Sequence, residues 1–346
     1  MTLFQPDDPQ HDPYGYRADA VRFERQQRRR RRSAVFGVLA VILAVALAVL
    51  LADPQRRTAY ADQWVVWTQP PSAEVQGLAD ATHMTETGRR IFFATTPEID
   101  ASAEFNQHCQ VEAEIVLGCY EDGAIFVFRV TDARLTGTTE VTAAHEMLHA
   151  AYQRMDAAER RRIDGLVAAF VATLPADDPT VKLMATYPAD QHADEWHSRL
   201  GTEYADLGPG LEKHYAEYFG DRGAVLALAQ GSRAQLDAAE SSINQLVSQL
   251  DALDAEIASR SAAFEADRDR LNADIADFNS RADDGDFASE QQFDTERDAL
   301  QRRSDSLDAE RADLNADIAR YNDLADELKR RDSDYTELYS HLDSHA

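Results

Sequence analysis

The chain has 346 residues, which is enough for two domains or for one domain with extensions. Its formal net charge is −27, from 62 acidic and 35 basic side chains. Nucleic acids are bound through clustered lysine and arginine, so this acidic composition argues against a nucleic acid partner. The first 33 residues differ from the rest, because eight arginines there outnumber five acidic residues.

A basic segment followed by an apolar run opens the chain. Residues 1–33 begin without any apolar period, and we expect them to form a disordered basic tail in the cytoplasm. Residues 34–52 are 19 uncharged residues. A helix rising about 1.5 Å per residue would cross roughly 30 Å of bilayer hydrocarbon over that length. With Arg28–Arg32 before it, the run predicts one transmembrane helix, with the N-terminus cytoplasmic and the later domains extracytoplasmic.

A cleaved signal peptide is the alternative, because it also combines a basic start with an apolar core. The long segment before the run and the lack of a clear Ala-x-Ala site after it favour a retained signal anchor in the cell membrane. Residues 53–72 are expected to be a juxtamembrane linker. Its Tyr60, Trp64 and Trp67 would rest at the lipid interface or belong to the edge of the folded domain.

Short apolar runs after the linker predict strands. Gly88 precedes Arg90–Ala94, which we expect to be a strand. Val111–Leu117 and Ala124–Val130 are two further strand candidates. Asp122-Gly123 lies between them, and Asp-Gly between β-rich runs is a strong hairpin signal.

The chain contains two cysteines, Cys109 and Cys119, with nine residues between them. In an exported domain such a pair indicates a disulfide. Two buried free thiols are the alternative.

Val141–Tyr152 contains the pattern H-E-x-x-H within a segment typical of a half-buried helix. Residues four apart lie on one face of a helix, so His145 and His149 can direct two imidazole nitrogens at a single ion. Glu146 beside them is placed to take a proton from a metal-bound water. The neighbouring positions carry no charge and no proline, which favours a metal site over an amphipathic helix with two surface histidines.

Together with a later helical stretch, this motif resembles the zincin metallopeptidases of the gluzincin type. That stretch contains Glu195 and, three residues on, the small Ser198, and Gly201 is expected to end the helix. In the family, the third zinc ligand is a glutamate followed at this spacing by a small residue that lets two helices approach. Glu203 is the second candidate for that ligand. The resemblance implies an α+β, zincin-like metallopeptidase domain over residues 73–230.

The same resemblance implies roles for particular side chains. One Zn²⁺ ion would be held by His145, His149 and Glu195, and Glu146 would activate the zinc-bound water. Asp194 and His197 would orient a ligand or bind substrate.

Two further expectations follow from the family. Either His197 or Tyr204 would stabilise the oxyanion. The strand Ile125–Arg129 would line the cleft and pair with extended substrate, with an ordinary edge strand as the alternative.

A seven-residue apolar repeat fills residues 232–346, which contain no proline. It includes Ile243, Leu250 and Ile257, stops around Asp283–Asp286, and then resumes. We expect an antiparallel coiled-coil hairpin whose arms of about fifty residues reach roughly 75 Å. Polar residues at the second seam position leave open a passive spacer and an arm that binds a protein partner or gates substrate. Parallel self-association between chains is a further option.

The sequence therefore predicts a membrane-anchored zinc metallopeptidase that hydrolyses a peptide or protein substrate outside the cytoplasm. The alternative is a non-catalytic envelope scaffold that uses the hairpin to bind partners and keeps an inactive, zinc-binding domain. Glu146 favours the enzyme, because an inactive protein could lose this side chain and still bind metal.

Overall fold

The computed structural model describes residues 16–109 and 116–345. These residues are mainly helical, with 77% of the structure in helices. The helices, in chain order, are α1 (Tyr16–Ala52), α2 (Pro54–Thr68), α3 (Ala73–Ala81), α4 (Glu86–Ala94), α5 (Ser102–His108), α6 (Thr138–Arg154), α7 (Ala157–Val171), α8 (Pro179–Met184), α9 (His192–Glu203), α10 (Gly208–Tyr215), α11 (Arg222–Asp284) and α12 (Glu290–Ser340). The strands are β1 (Glu98–Asp100), β2 (Gly118–Glu121) and β3 (Ala124–Phe128).

The sheet is small, and the expected α+β zincin-like fold is therefore wrong. Its strands of three, four and five residues lie in the order β1-β3-β2. Strand β3 pairs in parallel with β1 and antiparallel with β2. The hairpin expected at Asp122-Gly123 is confirmed, since both residues have positive φ and Glu121 pairs with Ala124.

Arg90–Ala94 forms part of helix α4 and is not a strand. The hydroxyl of Thr85 accepts a hydrogen bond from the backbone N–H of Gly88 and caps the helix. Gly88 therefore lies in the first turn and does not break the helix. A short apolar run is too short for its periodicity to distinguish a strand from a helix. Here the Thr85 cap and the packing of the segment make it a helix. Most of the second expected strand, Val111–Leu117, lies outside the described residues.

The N-terminal expectations need correction. Residues 1–15 lie outside the described part of the chain, and residues 16–33 belong to α1. Across the part of the chain that the structure describes, no helix has the length and apolar character needed to cross a membrane. This contradicts the transmembrane helix expected over residues 34–52, together with the signal anchor and the single-pass placement in the cell membrane. The apolar run is the second half of α1, whose first half contains Arg28–Arg32.

The segment expected to be a linker, residues 53–72, forms helix α2, which packs against α4. Asp62 of α2 is buried and pairs with Arg154 at the end of α6, at 2.9 and 3.0 Å. This ion pair joins α2 to the folded body. Three aromatic side chains of α2 are exposed: Tyr60, Trp64 and Trp67.

Helix α6 lies at the centre of the main hydrophobic core. Its inward face contributes six small or apolar side chains that are almost fully buried: Ala143, Ala144, Met147, Leu148, Ala150 and Ala151. Helices α3, α4, α9 and α11 and strands β2 and β3 pack around it. Because the core surrounds this helix, its histidines have a rigid support.

The C-terminal hairpin forms as the apolar repeat predicts. Gly285, with φ 73°, ends α11 in the left-handed conformation, and α12 returns antiparallel along it. Arg260 of α11 bridges to Glu310 of α12 at 3.1 Å and pairs also with Asp317. The buried seam is formed by Leu250, Leu253, Leu271, Phe278 and Leu314.

Both ends of the hairpin are built into the folded body. Helix α11 begins at Arg222, before the expected boundary, and Val225 in its first turn is buried in the main core. At the other end, Leu338 and Leu342 pack on Leu135. The hairpin is therefore continuous with the domain that carries the histidines.

Candidate metal centre

Helices α6 and α9 bring His145, His149 and Glu195 together. The Nε2 atoms of the two histidines lie 3.1 Å apart. One carboxylate oxygen of Glu195 is 3.3 Å from Nε2 of His149, and the other is 3.7 Å from Nε2 of His145. Metal–ligand distances near 2.0–2.1 Å place the ligands of a tetrahedral zinc site about 3.3–3.4 Å apart. The spacing fits, and the three side chains can hold a metal ion.

Small residues on α9 permit this approach of the two helices. Ser198 is fully buried, and a Cβ atom added at Gly201 would overlap Leu148 of α6 and lie 2.8 Å from the ring of Tyr215. Gly201 does not end the helix as expected, because α9 continues to Glu203. Its lack of a side chain serves close packing instead.

Asp194 lies behind the second histidine. Its Oδ1 is 2.8 Å from Nδ1 of His149, so the other ring nitrogen, Nε2, faces His145 and Glu195. Burial lowers the pKa of His149, but the hydrogen bonds to Asp194 and Glu195 outweigh burial and raise it to about 10. The surroundings of His149 therefore stabilise a positive charge at this ring.

The third member of the cluster is held as an anion. Burial raises the pKa of Glu195, but hydrogen bonds from His145 and His149 and the charge of Arg199 bring it well below its usual value. A deprotonated carboxylate facing two imidazole nitrogens is a donor set that can bind a divalent cation.

Glu146 is nearly buried, with 5% of its surface exposed, and lies against strand β2. A Cβ atom at Gly118 would come within 2.9 Å of its Oε1 and Cγ atoms. Gly118 thus makes the space that the carboxylate occupies. Burial raises the pKa of Glu146, and the charges of His149 and His145 offset part of that effect.

Glu203, the second candidate for the third ligand, is turned toward two arginines. Its Oε1 lies 3.2 Å from Nη1 of Arg199, and its Oε2 lies 2.9 Å from Nη2 of Arg233. The structure therefore brings Glu195, and not Glu203, to the two histidines.

His197 and Tyr204 do not reach the metal cluster. His197 is fully buried, and its Nε2 lies 2.9 Å from Nε2 of His214 on α10. It follows Glu195 by two residues and so points to the opposite side of the helix. The hydroxyl of Tyr204 donates to Asp178 at 2.9 Å. The role of oxyanion helper expected for these two residues is not supported by their positions.

The expected substrate strand also needs correction. Strand β3, which contains Ile125, has a neighbour on each side, so both edges of its backbone are already paired. Strand β2 also borders α6, and its Gly118 lies beside Glu146. It is tied at Cys119 by the disulfide to Cys109, as the two cysteines predicted.

Two elements of the site were missed from the sequence. Arg199 follows Glu195 by four residues, a spacing that predicts contact on a helix, so this signal was present. No signal in the sequence indicated Gly118, because this residue of β2 and Glu146 of α6 meet only when the two elements pack together.

A second group of potential ligands lies at the start of the sheet. It comprises Glu98, Asp100 and His108, which are exposed or half-buried. His108 stacks on Phe126 with 4.0 Å between ring centroids. Exposed acidic groups of this kind are common without an ion, and the buried cluster on α6 and α9 is the better metal centre.

No protein-family model, curated protein or solved structure matches this chain.

Proposed function

We propose that this protein is a zinc-dependent peptidase whose metal is held by His145, His149 and Glu195. The observation that carries the proposal is the position of Glu195, which comes from a separate helix to within 3.3 and 3.7 Å of the two histidines. If the H-E-x-x-H pattern had arisen by chance, a buried carboxylate from another helix would not be expected beside both histidines. Glu146 lies next to the cluster, where a peptidase needs its proton acceptor.

The donor set favours zinc among the common divalent cations. Two imidazoles and one carboxylate suit zinc, whereas magnesium and calcium prefer oxygen ligands. Three protein ligands leave one position open, which is typical of catalytic sites and distinguishes them from structural sites with four protein ligands.

The side chains around the site have separate roles in the proposed hydrolysis. Zinc bound by His145, His149 and Glu195 would supply a water molecule with a pKa lowered to about 7 and would polarise the scissile carbonyl. Glu146 would accept a proton from the water as its oxygen bonds to the carbonyl carbon, and would deliver that proton to the leaving amine as the C–N bond breaks. Asp194 holds the His149 ring in the orientation that directs Nε2 toward His145 and Glu195.

Strand β2 offers a place for an extended substrate. It borders α6 at Gly118, and it is paired with β3 along one edge. A peptide lying along its other edge would pass beside Glu146 and gain backbone hydrogen bonds. Pairing of this kind requires a peptide backbone, and the position of β2 at the end of the strand order is the reason that we propose a peptide substrate.

Glu146→Gln is the decisive variant. We expect it to bind one zinc per chain like the wild type and to lose peptidase activity by about 10²–10⁴-fold, because general acid–base catalysis is removed. Glu140→Gln, in the first turn of the same helix, is the matched control and should keep both properties. The assays are metal analysis of the purified protein and cleavage of a library of internally quenched peptides.

Two outcomes would remove the proposal. One is a wild-type protein that binds no zinc, and the other is a Glu146→Gln variant with unchanged peptidase activity. Zinc binding without cleavage of any peptide would favour the scaffold alternative, in which the α11–α12 hairpin recruits a partner.

A further inference from the structure

The third ligand of the candidate metal centre is held from behind by an arginine. Nε of Arg199 lies 2.6 Å from Oε1 of Glu195 and donates to it. The two residues are one helical turn apart on α9, so the same helix presents both. Their side chains are 15% and 9% exposed, which limits the screening of this ion pair by water.

The two oxygens of Glu195 face different partners. Oε1 accepts from Arg199 and is 3.7 Å from His145, whereas Oε2 is 3.3 Å from Nε2 of His149. A guanidinium N–H engages Oε1, and Oε2 faces Nε2 of His149 without that contact. The carboxylate therefore cannot rotate freely, and one of its oxygens is directed at the metal position.

Arg199 is itself held in place. Oε1 of Glu203 accepts from Nη1 of Arg199 at 3.2 Å. Nη2 of Arg233, at the base of α11, lies 2.9 Å from Oε2 of Glu203, as an ion pair without hydrogen-bond geometry. A chain of alternating charges thus connects the base of the hairpin to the ligand. Arg199 bridges two carboxylates on its own helix, which suits the planar, forked guanidinium better than a lysine ammonium.

We propose that Arg199 is the positioning residue of the metal centre, holding Glu195 by Oε1 so that Oε2 binds the metal. The proposal rests on the metal site proposed above and adds a residue that the H-E-x-x-H pattern does not include. Two effects of Arg199 on metal affinity oppose each other. Its charge repels a cation, whereas its hydrogen bond orients the ligand in advance.

The repulsion is the smaller effect, because Glu203 compensates the charge of Arg199 at 3.2 Å. Orientation by groups behind a ligand typically changes metal affinity by about 10–100-fold. Removing Arg199 should therefore weaken metal binding, although simple charge arithmetic predicts the opposite. The sign of the change separates the two explanations.

The test uses the full-length chain and zinc alone, with affinity measured by competition against a chromogenic chelator. We expect Arg199→Gln to raise the zinc Kd by about 10–100-fold. Arg199→Lys keeps the charge and loses the forked guanidinium. Its zinc Kd should lie between those of the wild type and Arg199→Gln. Glu203→Gln keeps Arg199 and weakens the contact that holds it, and it should raise the Kd by a smaller factor. The matched control is Arg281→Gln, which removes another arginine with a carboxylate one turn away, in the hairpin.

Circular dichroism with a chelator present shows whether each variant folds, so a loss of fold is distinguished from a loss of affinity. If Arg199→Gln does not fold, the Kd of Arg199→Lys decides, because this variant keeps the charge and changes only the hydrogen-bonding geometry. An unchanged or lower Kd in the folded variants overturns the positioning role and leaves the peptidase proposal standing. A wild type that binds no zinc overturns both. A wild type that binds zinc without cleaving peptides, together with the expected rise in Kd, overturns the peptidase proposal alone.

Discussion

Oδ1 of Asp194 lies 2.8 Å from Nδ1 of His149, which places a carboxylate behind one histidine of the metal cluster. This contact fixes which ring nitrogen faces Glu195, so its loss should weaken metal binding without unfolding the protein. We expect Asp194→Ala to raise the zinc Kd by about 10–100-fold. Isothermal titration calorimetry with zinc measures the change. Asp190→Ala, an exposed acid just before the same helix, should leave the Kd unchanged.

The contact between Gly118 and Glu146 makes a second prediction. A methyl group at residue 118 would lie 2.9 Å from Oε1 of Glu146 and closer still to Thr142, so the side chain of Glu146 must move. We expect Gly118→Ala to lower peptidase activity at least tenfold while zinc still binds, because the three ligands lie outside the clash. Gly77→Ala, where an added methyl group meets open space, is the control. Full activity in Gly118→Ala would show that Glu146 does not need its present position.

Gly201 tests the packing of the two ligand-bearing helices. An added methyl group would overlap Leu148 of α6, and overpacking of a core costs about 1–3 kcal/mol. We expect Gly201→Ala to lower the free energy of unfolding by that amount and to weaken zinc binding, because α9 carries Glu195. Chemical denaturation measures the first effect. Gly165→Ala, in open space within α7, should be neutral or stabilising by up to about 1 kcal/mol.

A pH dependence follows from the buried histidine pair. Burial lowers the pKa of His214 from 6.5 to about 4, and the charge of Arg162 adds to the effect. Between pH 6.5 and about pH 4, His214 therefore binds a proton in the unfolded chain and stays neutral in the folded chain. The free energy of unfolding must therefore fall as the pH drops from about 6.5 toward 4. The contribution of His214 to that free energy is fully retained only above pH 6.5.

His214→Gln should flatten part of that slope, because glutamine keeps a hydrogen-bonding partner for His197 and does not titrate in this range. Denaturation curves from pH 7 to 4, recorded with a chelator present, measure the slope. His83→Asn, at an exposed histidine, should leave it unchanged. An equal slope in His214→Gln and wild type would contradict a proton-linked role for this residue.

The local parts of the structure were predictable from the sequence. His145 and His149 share a face of α6 because helical geometry places residues four apart together. The seven-residue repeat predicted the α11–α12 hairpin, and Asp122-Gly123 predicted the turn between β2 and β3. Each of these features depends on neighbours within a few residues or on a long, regular period.

Errors arose where local pattern and tertiary context disagree. Arg90–Ala94 has the apolar content of a strand, but a Thr85 cap and packing against α6 make it helical. A glycine after an apolar helical stretch predicts a helix end, yet α9 continues through Gly201 to Glu203. The glycine is needed instead because a side chain there would overlap Leu148 of α6. The apolar run over residues 34–52 predicted a membrane span that the helices of the described chain do not support.

The sequence by itself determined the two histidines, the acid beside them and the hairpin, because each follows from helical periodicity. Only the tertiary structure decided between Glu195 and Glu203, since both lie on one helix and differ in which side chains of other elements they meet. It also showed that Gly118 of β2 lies beside Glu146 and that Arg199 donates to the carboxylate of Glu195. These relationships depend on how separate helices and strands pack, which no spacing along the chain encodes.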